Sequence, residues 1–255
     1  MSIKMKINAC CYLLKTWLTV IPRIIYRSSI SLITNPKESQ CFIHQVLNAQ
    51  DLESDDLMLG SHDISELLPA SNVIDIQIVG PYYNRRSGGT GLLMELANLA
   101  YIMQALKPQF IFEIGTFVGR TTRLFANNAP PTSRIFTLDL PPELVQHKIG
   151  EAFQGTPESK RITQLKGDSQ VFDFSPFYGK CDFVWVDACH DYKWVQKDSE
   201  IAFKLCRTGG WIAWHDYRKT AWWSGVTRCV RELHKIYPKL VHLRGTTIAV
   251  LPGKK

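Results

Sequence analysis

From residue 92 onward the apolar and polar positions alternate between two kinds of pattern. Leu92 to Leu106 places its apolar side chains at helical spacing, and Lys107 and Pro108 end that run because proline supplies no N–H to continue a helix. Short apolar runs then recur and predict strands at Phe110 to Ile114, Arg134 to Leu138, Ile162 to Lys166, Phe183 to Val186, Trp211 to Trp214, Leu240 to Leu243 and Thr247 to Leu251. Longer polar-faced segments separate most of them, Gly225 to His234 among these, with Gly209 and Gly210 read as a turn. This alternation is that of βαβ units, so the expected fold is α/β, a doubly wound and mostly parallel sheet of seven strands. Only Arg244 to Thr246 separates the last two runs, too little for a crossover helix, so they are expected to close the sheet as an antiparallel hairpin.

The pattern changes character near residue 80. Residues 1–80 read as an irregular extension, Pro81 to Gly91 as a loop, and residues 81–255 as one catalytic domain. The size fits, since a chain of 255 residues that is 45% hydrophobic can bury one substantial core. Ala9 to Ile33 is apolar but is interrupted by Lys15, Pro22, Arg23 and Arg27, so it falls short of the ~20 uncharged residues of a membrane span. No small-residue cleavage site follows Lys4 and Lys6, so no signal peptide is expected. Seven cysteines without CxxC or zinc-ligand spacing suit a reducing compartment, and cytoplasmic residence is the expectation.

The net charge of +7 is unevenly spread: residues 1–40 carry six Lys/Arg against one acid, residues 41–203 thirteen against twenty, and residues 204–255 eleven against two. Solvated helix faces account for the basic C-terminal part, and nucleic acid is not an expected partner. In residues 1–40, Trp17, Leu18, Ile24, Ile25 and Tyr26 among cations leave two alternatives open: peripheral contact with an anionic membrane, or packing on the domain or on another subunit.

The candidate chemistry sits at strand ends. FIFEIGTFVGRTTRLFA, residues 110–126, is a strand with Glu113, a loop with Gly115, Thr116 and Gly119, then a helix whose N-terminus can face a carboxylate or phosphate. The glycines lack the GxGxxG spacing of dinucleotide sites. Asp139 ends the second strand, and Gly167 and Asp168 end the third. DFVWVDACH throws out Asp187 and His190, and WIAW is followed by His215 and Asp216. Parallel strand ends open onto one crevice, where carboxylates and imidazoles can hold a divalent cation.

These motifs, in this order, resemble the class I S-adenosylmethionine-dependent methyltransferases, whose sheet is Rossmann-like and ends in an antiparallel hairpin. The resemblance implies that Glu113, Gly115, Thr116, Gly119, Asp139, Asp168 and Asp187 form the cofactor site. It is similar more narrowly to catechol and caffeoyl-coenzyme A O-methyltransferases, which hold magnesium at an aspartate after the fourth strand and an Asp-Asn pair after the fifth. By position, Asp187, His215 and Asp216 would hold Mg²⁺ or another divalent cation, and His190 stands where that branch has a lysine base. VDACHDY and WHDY resemble better the macrocin O-methyltransferase and cephalosporin-hydroxylase-like branch. The implied activity is O-methylation of a small hydroxylated acceptor, a sugar or natural product, with His190 and Asp187 as catalytic residues. Two rivals stay open: a non-catalytic protein of this fold acting at a membrane surface, and a Rossmann-type oxidoreductase. Tyr217, Trp222 and Trp223 could wall the acceptor pocket or simply pack, and Tyr82, Tyr83 and Arg85 to Thr90 could close over the cofactor or be surface loop. Homo-oligomerisation is open.

Overall fold

A computed structural model describes residues 56, 58–69, 74–78, 93–218 and 224–254. The basic segment 1–40, Tyr82, Tyr83, the Arg85 to Thr90 loop, Trp222 and Trp223 lie outside the described residues.

The elements are β1 (Ser61–His62), α1 (Ile64–Leu67), α2 (Leu93–Leu106), β2 (Phe110–Ile114), α3 (Arg120–Asn128), β3 (Arg134–Asp139), β4 (Ile162–Lys166), β5 (Cys181–Val186), α4 (Tyr192–Leu205), β6 (Cys206–Trp214), α5 (Gly225–Ile236), β7 (Val241–Leu243) and β8 (Ala249–Leu251). They form one sheet of eight strands in the order β1-β7-β8-β6-β5-β2-β3-β4. The seven expected strands are all present. All pairs are parallel except β6 with β8 and β7 with β8, so β8 is the antiparallel strand of the expected hairpin.

The central strands read as unbroken apolar runs because both their faces are buried. On one face Phe112, Val184, Ile212 and Trp214 pack with Val195 and Ala202 of α4 and Val230 of α5. On the other, Ile111, Phe183, Trp185 and Ala213 pack with Leu99 and Met103 of α2 and Phe125 of α3. Successive side chains of a strand point to opposite faces, so FVW and WIAW supply both cores at once.

Two expectations are corrected. Gly209 and Gly210, read as a turn, lie inside β6, where the pairing shifts register between Cys181/Cys206 and Phe183/Trp211 and Gly209 takes φ 79°. The eighth strand, β1, comes from residues assigned to the extension. It pairs with β7, Ser61 against His242. A two-residue strand carries too little periodicity to be read from sequence.

What holds β1 is a polar staple. Buried Asp56 accepts the Met58 N–H at 2.8 Å and the Tyr217 hydroxyl at 2.5 Å. Ser61 Oγ accepts the Asp56 N–H at 2.8 Å and donates to His242 Nδ1 at 3.0 Å, while His242 Nε2–H donates to the Thr246 carbonyl at 2.7 Å. Removing one partner leaves a buried carboxylate short of a donor, which costs about 1–3 kcal/mol. Tyr217→Phe is therefore expected to lower unfolding free energy by that amount in urea denaturation; an unchanged midpoint would exclude Tyr217 from the staple.

Candidate active site

One residue before its end, β2 carries an acid that the fold buries. Glu113 is 1% exposed, and its Oε2 accepts the hydroxyls of Thr122 at 2.5 Å and Thr137 at 2.6 Å. The Thr116 hydroxyl lies 2.6 Å from that of Thr137, extending the chain into the glycine loop. Burial raises the Glu113 pKa to about 8, against the pull of the two threonines. Gly115 follows with φ 102°, and a Cβ there would stand 2.1 Å from the Asp187 carbonyl oxygen, so only glycine fits. Gly119 (φ 79°) opens α3, which no side chain caps at that position. Asp139 at the end of β3 accepts the loop N–H groups of Thr116 at 3.0 Å and Phe117 at 2.6 Å through Oδ2, and that of Leu140 at 2.7 Å through Oδ1. After β4, Asp168 accepts the Gln170 N–H at 2.9 Å. Gln170 in turn lies 3.5 Å from Asp198 of α4, whose pKa burial raises to about 6.

The second half of the site lies beside the first. Asp187 N–H donates to the Ile114 carbonyl at 2.9 Å and His215 N–H to that of Val186 at 3.1 Å, so the ladder fixes where the β5 and β6 extensions leave the sheet. Asp187, His190 and Asp216 each offer one ligand atom, all within 4.8 Å of one another. His190 Nε2 is 3.0 Å from Asp216 Oδ2, and Arg218 reaches Asp216 Oδ1 at 3.2 Å.

His215, also expected among the cation ligands, stands beside the same two carboxylates. Its Nδ1 lies 3.2 Å from Asp187 Oδ1 and its Nε2 lies 3.2 Å from Glu95 Oε2, so both ring nitrogens face carboxylates. Burial opposes its charge, but Asp187, Asp216 and Glu95 outweigh burial and raise its pKa well above that of a free imidazole. The same charge, against burial, holds Glu95 and Asp216 below the usual carboxylate range. For His190 the hydrogen bond with Asp216 raises the pKa.

Glu95 was not foreseen. It is 3% exposed in the first turn of α2, and its Oε1 accepts the Thr247 N–H at 2.7 Å and hydroxyl at 2.6 Å. The available signal was an acid inside the apolar run LMELANLAYIMQAL, a position that demands a buried partner. Tyr217, a candidate pocket wall, is buried in the staple instead. Trp185 Nε1 donates to Asp187 Oδ2 at 3.3 Å, a contact that alternation along the strand did not reveal.

Residues 112–217 match the family model described as a methyltransferase domain. The chain is 28% identical over 145 residues to "O-methyltransferase hkm8" of Aspergillus hancockii, covering 50% of this chain and 55% of that protein. It thus spans about half the length of this curated relative. Among solved structures, the fold is similar to cofactor-bound Rv0187 from MTB, with TM-score 0.51 and 19% identity over 67% of this chain and 83% of that one. It is also similar to the O-methyltransferase TomG of Streptomyces achromogenes in complex with SAM, with TM-score 0.53 and 15% identity over 83% of this chain and 98% of that one.

Because the Glu113 pKa is raised on folding, the native state binds more protons than the unfolded chain between the ordinary carboxylate range and about 8. Its contribution to stability is full at low pH and is lost as pH rises through that window. The ligand-free protein is therefore expected to lose stability relative to Glu113→Gln from pH 5 to 8, by on the order of 1 kcal/mol per pH unit at most. Parallel pH profiles of urea unfolding for the two proteins would disprove the burial of a protonated Glu113.

Proposed function

We propose that this chain, whose residues 112–217 match a methyltransferase-domain model, transfers a methyl group from S-adenosylmethionine to a hydroxyl oxygen of a small acceptor, a sugar or natural product. The observation that carries this reading is that Glu113, Asp139 and Asp168 stand at or beside the C-terminal ends of three successive strands while Asp187, His190 and Asp216 cluster just beyond the next two. Cofactor groups and acceptor chemistry thus share one sheet edge. The relative's description as an O-methyltransferase and TomG's complex with SAM support the same reading.

Bound S-adenosylmethionine supplies a methyl on a positively charged sulfur, so transfer needs an acceptor oxygen aligned with that carbon. Glu113 is suited to an ammonium group, because a buried carboxyl with only threonine donors gains a counterion when a cation arrives. Asp139 holds the loop through Thr116 and Phe117 and keeps carboxylate oxygens at the strand tip for a ribose diol. Asp168, braced through Gln170 toward Asp198, is assigned to the adenine side. Gly119 and Thr116 complete the loop, and the backbone at Asp187 forms its far wall.

The donor set beside this site fits a divalent cation: two carboxylates and an imidazole within 4.8 Å, with Asp187 and Asp216 each hydrogen-bonded from outside. Such an ion would supply Lewis acidity that lowers the pKa of an acceptor hydroxyl. His190 is the imidazole at the crevice mouth, its side chain 62% exposed.

The oxidoreductase reading lacks the GxGxxG loop its cofactor requires. No helix among the described residues is long and apolar enough to cross a membrane. Peripheral contact would rest on residues 1–40, outside the described part.

Calorimetric titration with S-adenosylhomocysteine is expected to show saturable binding. Asp139→Ala should weaken it roughly 10- to 100-fold, the worth of about 1.5–3 kcal/mol in charge-assisted hydrogen bonds. No binding by the unmodified chain would refute the proposed activity. Asp187→Ala is expected to abolish methylation in an acceptor screen while changing S-adenosylhomocysteine affinity little, because its side chain faces the crevice cluster; full retained turnover would remove its catalytic role.

A further inference from the structure

We propose that Asp198 of α4 is a positioning residue that sets the purine specificity of the cofactor site: it holds the side-chain amide of Gln170 so that the Gln170 carbonyl oxygen is left to accept a hydrogen bond from the 6-amino group of adenine. The inference deepens the methyl-transfer reading and rests on its assignment of the turn after β4 to the adenine side of the cofactor.

The turn is fixed by main chain before any of its side chains acts. The Asp168 carbonyl oxygen accepts the N–H groups of Val171 at 3.1 Å and Phe172 at 2.9 Å, and the Gly167 N–H donates to the Asp139 carbonyl at 2.9 Å. The turn is therefore tied to the end of β3, where the ribose diol is assigned. The Asp168 carboxylate takes the Gln170 N–H, so Gln170 starts from a settled backbone.

What is left to choose in Gln170 is which way its amide faces, and the two ends of that group differ in what they meet. Nε2 carries two protons and finds two acceptors, Ser169 Oγ at 3.3 Å and Asp198 Oδ1 at 3.5 Å. Oε1 has no hydrogen-bond partner among the described residues, and the side chain is only half-buried, so that oxygen is open to a ligand. An ionised carboxylate only accepts. Turning the amide over would set the Gln170 carbonyl against the Asp198 carboxylate with no proton between them, so Asp198 selects one of the two orientations. A carbonyl facing the ligand accepts from an amino group and repels another carbonyl. That is the difference between adenine and hypoxanthine at position 6.

Packing alone gives no reason for an acid at position 198. Asp198 is 1% exposed and stands in the middle of α4, on a buried face that also carries Val195, Ile201, Ala202 and Leu205. Among the described residues its side-chain hydrogen bonds are those with Ser169 and Gln170. A carboxylate buried with so few donors is costly. Burial raises its pKa to about 6 against the pull of the Ser169 hydroxyl, and the charge of Asp168, on the turn that faces it, adds to the rise. Asp198 is thus ionised at neutral pH. Below about 6 it gains a proton that it can donate to the Gln170 carbonyl, which releases the selection.

The test is calorimetric titration of the full chain with S-adenosylhomocysteine and with S-inosylhomocysteine, whose purine carries oxygen in place of the 6-amino group. The ratio of the two affinities cancels what the ligands share, the amino-acid and ribose contacts included. At about pH 7 we expect S-adenosylhomocysteine to bind at least about tenfold more tightly, because a site built to pair one polar group rejects the mismatched one. Asp198→Asn supplies an N–H that can bond the Gln170 carbonyl and lets the amide turn over, so the ratio should fall below about threefold. Gln170→Ala should collapse it likewise. Asp139→Ala should weaken both ligands and leave the ratio unchanged, which separates a specificity role from a merely structural one. If burial keeps the Asn variant from folding, the unmodified chain still decides the matter. Its ratio should narrow at least about threefold between about pH 7 and about pH 5 as Asp198 takes up a proton, and Gln170→Ala should show no such trend. A ratio near unity in the unmodified chain, a ratio that persists in folded Asp198→Asn, or one that does not change with pH would each overturn the proposal. Tight binding without discrimination sinks this inference alone, whereas failure of S-adenosylhomocysteine to bind at all sinks the parent reading and this one with it.

Discussion

The site depends first on the contact between Gly115 and the backbone at Asp187. A Cβ on Gly115 would lie 2.1 Å from the Asp187 carbonyl oxygen and 2.9 Å from Ala188 Cα. The same junction is hydrogen-bonded on both sides, Asp187 N–H to Ile114 and Gly115 N–H to Leu138. The glycine loop after β2 and the acid that begins the crevice cluster are therefore fixed by main chain alone. Reactions governed by alignment gain most from that kind of rigidity, since flexible side chains do not set the distance between the two reactants.

The second constraint is charge. Three carboxylates, Glu95, Asp187 and Asp216, converge on the half-buried imidazole of His215. Buried charges persist only when paired and when their remaining lone pairs are filled. Here Thr247 fills those of Glu95, Trp185 those of Asp187, and Arg218 with His190 those of Asp216. The result is a polar network that crosses from α2 to the ends of β5 and β6. Its only strongly exposed member is His190, which marks the side from which a ligand can enter.

The sequence made the sheet legible because the central strands carry unbroken apolar runs and the acids stand at their C-terminal ends. The mostly parallel sheet, its closing hairpin and the crevice all follow from that. Three features did not. β1 is two residues long and is held by Asp56, Ser61, Tyr217 and His242, contacts between segments more than 150 residues apart. Glu95 sits in another element, and nothing in its own segment names His215 as its partner. The roles of the histidines depend on direction rather than position: Asp216 takes a left-handed backbone, φ 56°, so the chain turns there. Asp216 then meets His190 while His215 faces α2, a divergence that the adjacent letters HD cannot express. Gly209 and Gly210 misled for a related reason, since glycine marks an irregularity in a strand as readily as its end.

One more glycine fixes the backbone at His190 while its side chain stays exposed. A Cβ on Gly225, at the start of α5, would stand 2.3 Å from the His190 carbonyl oxygen and 2.3 Å from the Tyr192 nitrogen. Residues 187–192 are thus pressed from one side by Gly115 and from another by Gly225. Neither contact involves a side chain, so both survive any change in the residues that line the crevice. A segment clamped in this way can exchange its exposed side chains without moving its backbone. The fold thus constrains where the side chain at position 190 begins and leaves its chemistry open.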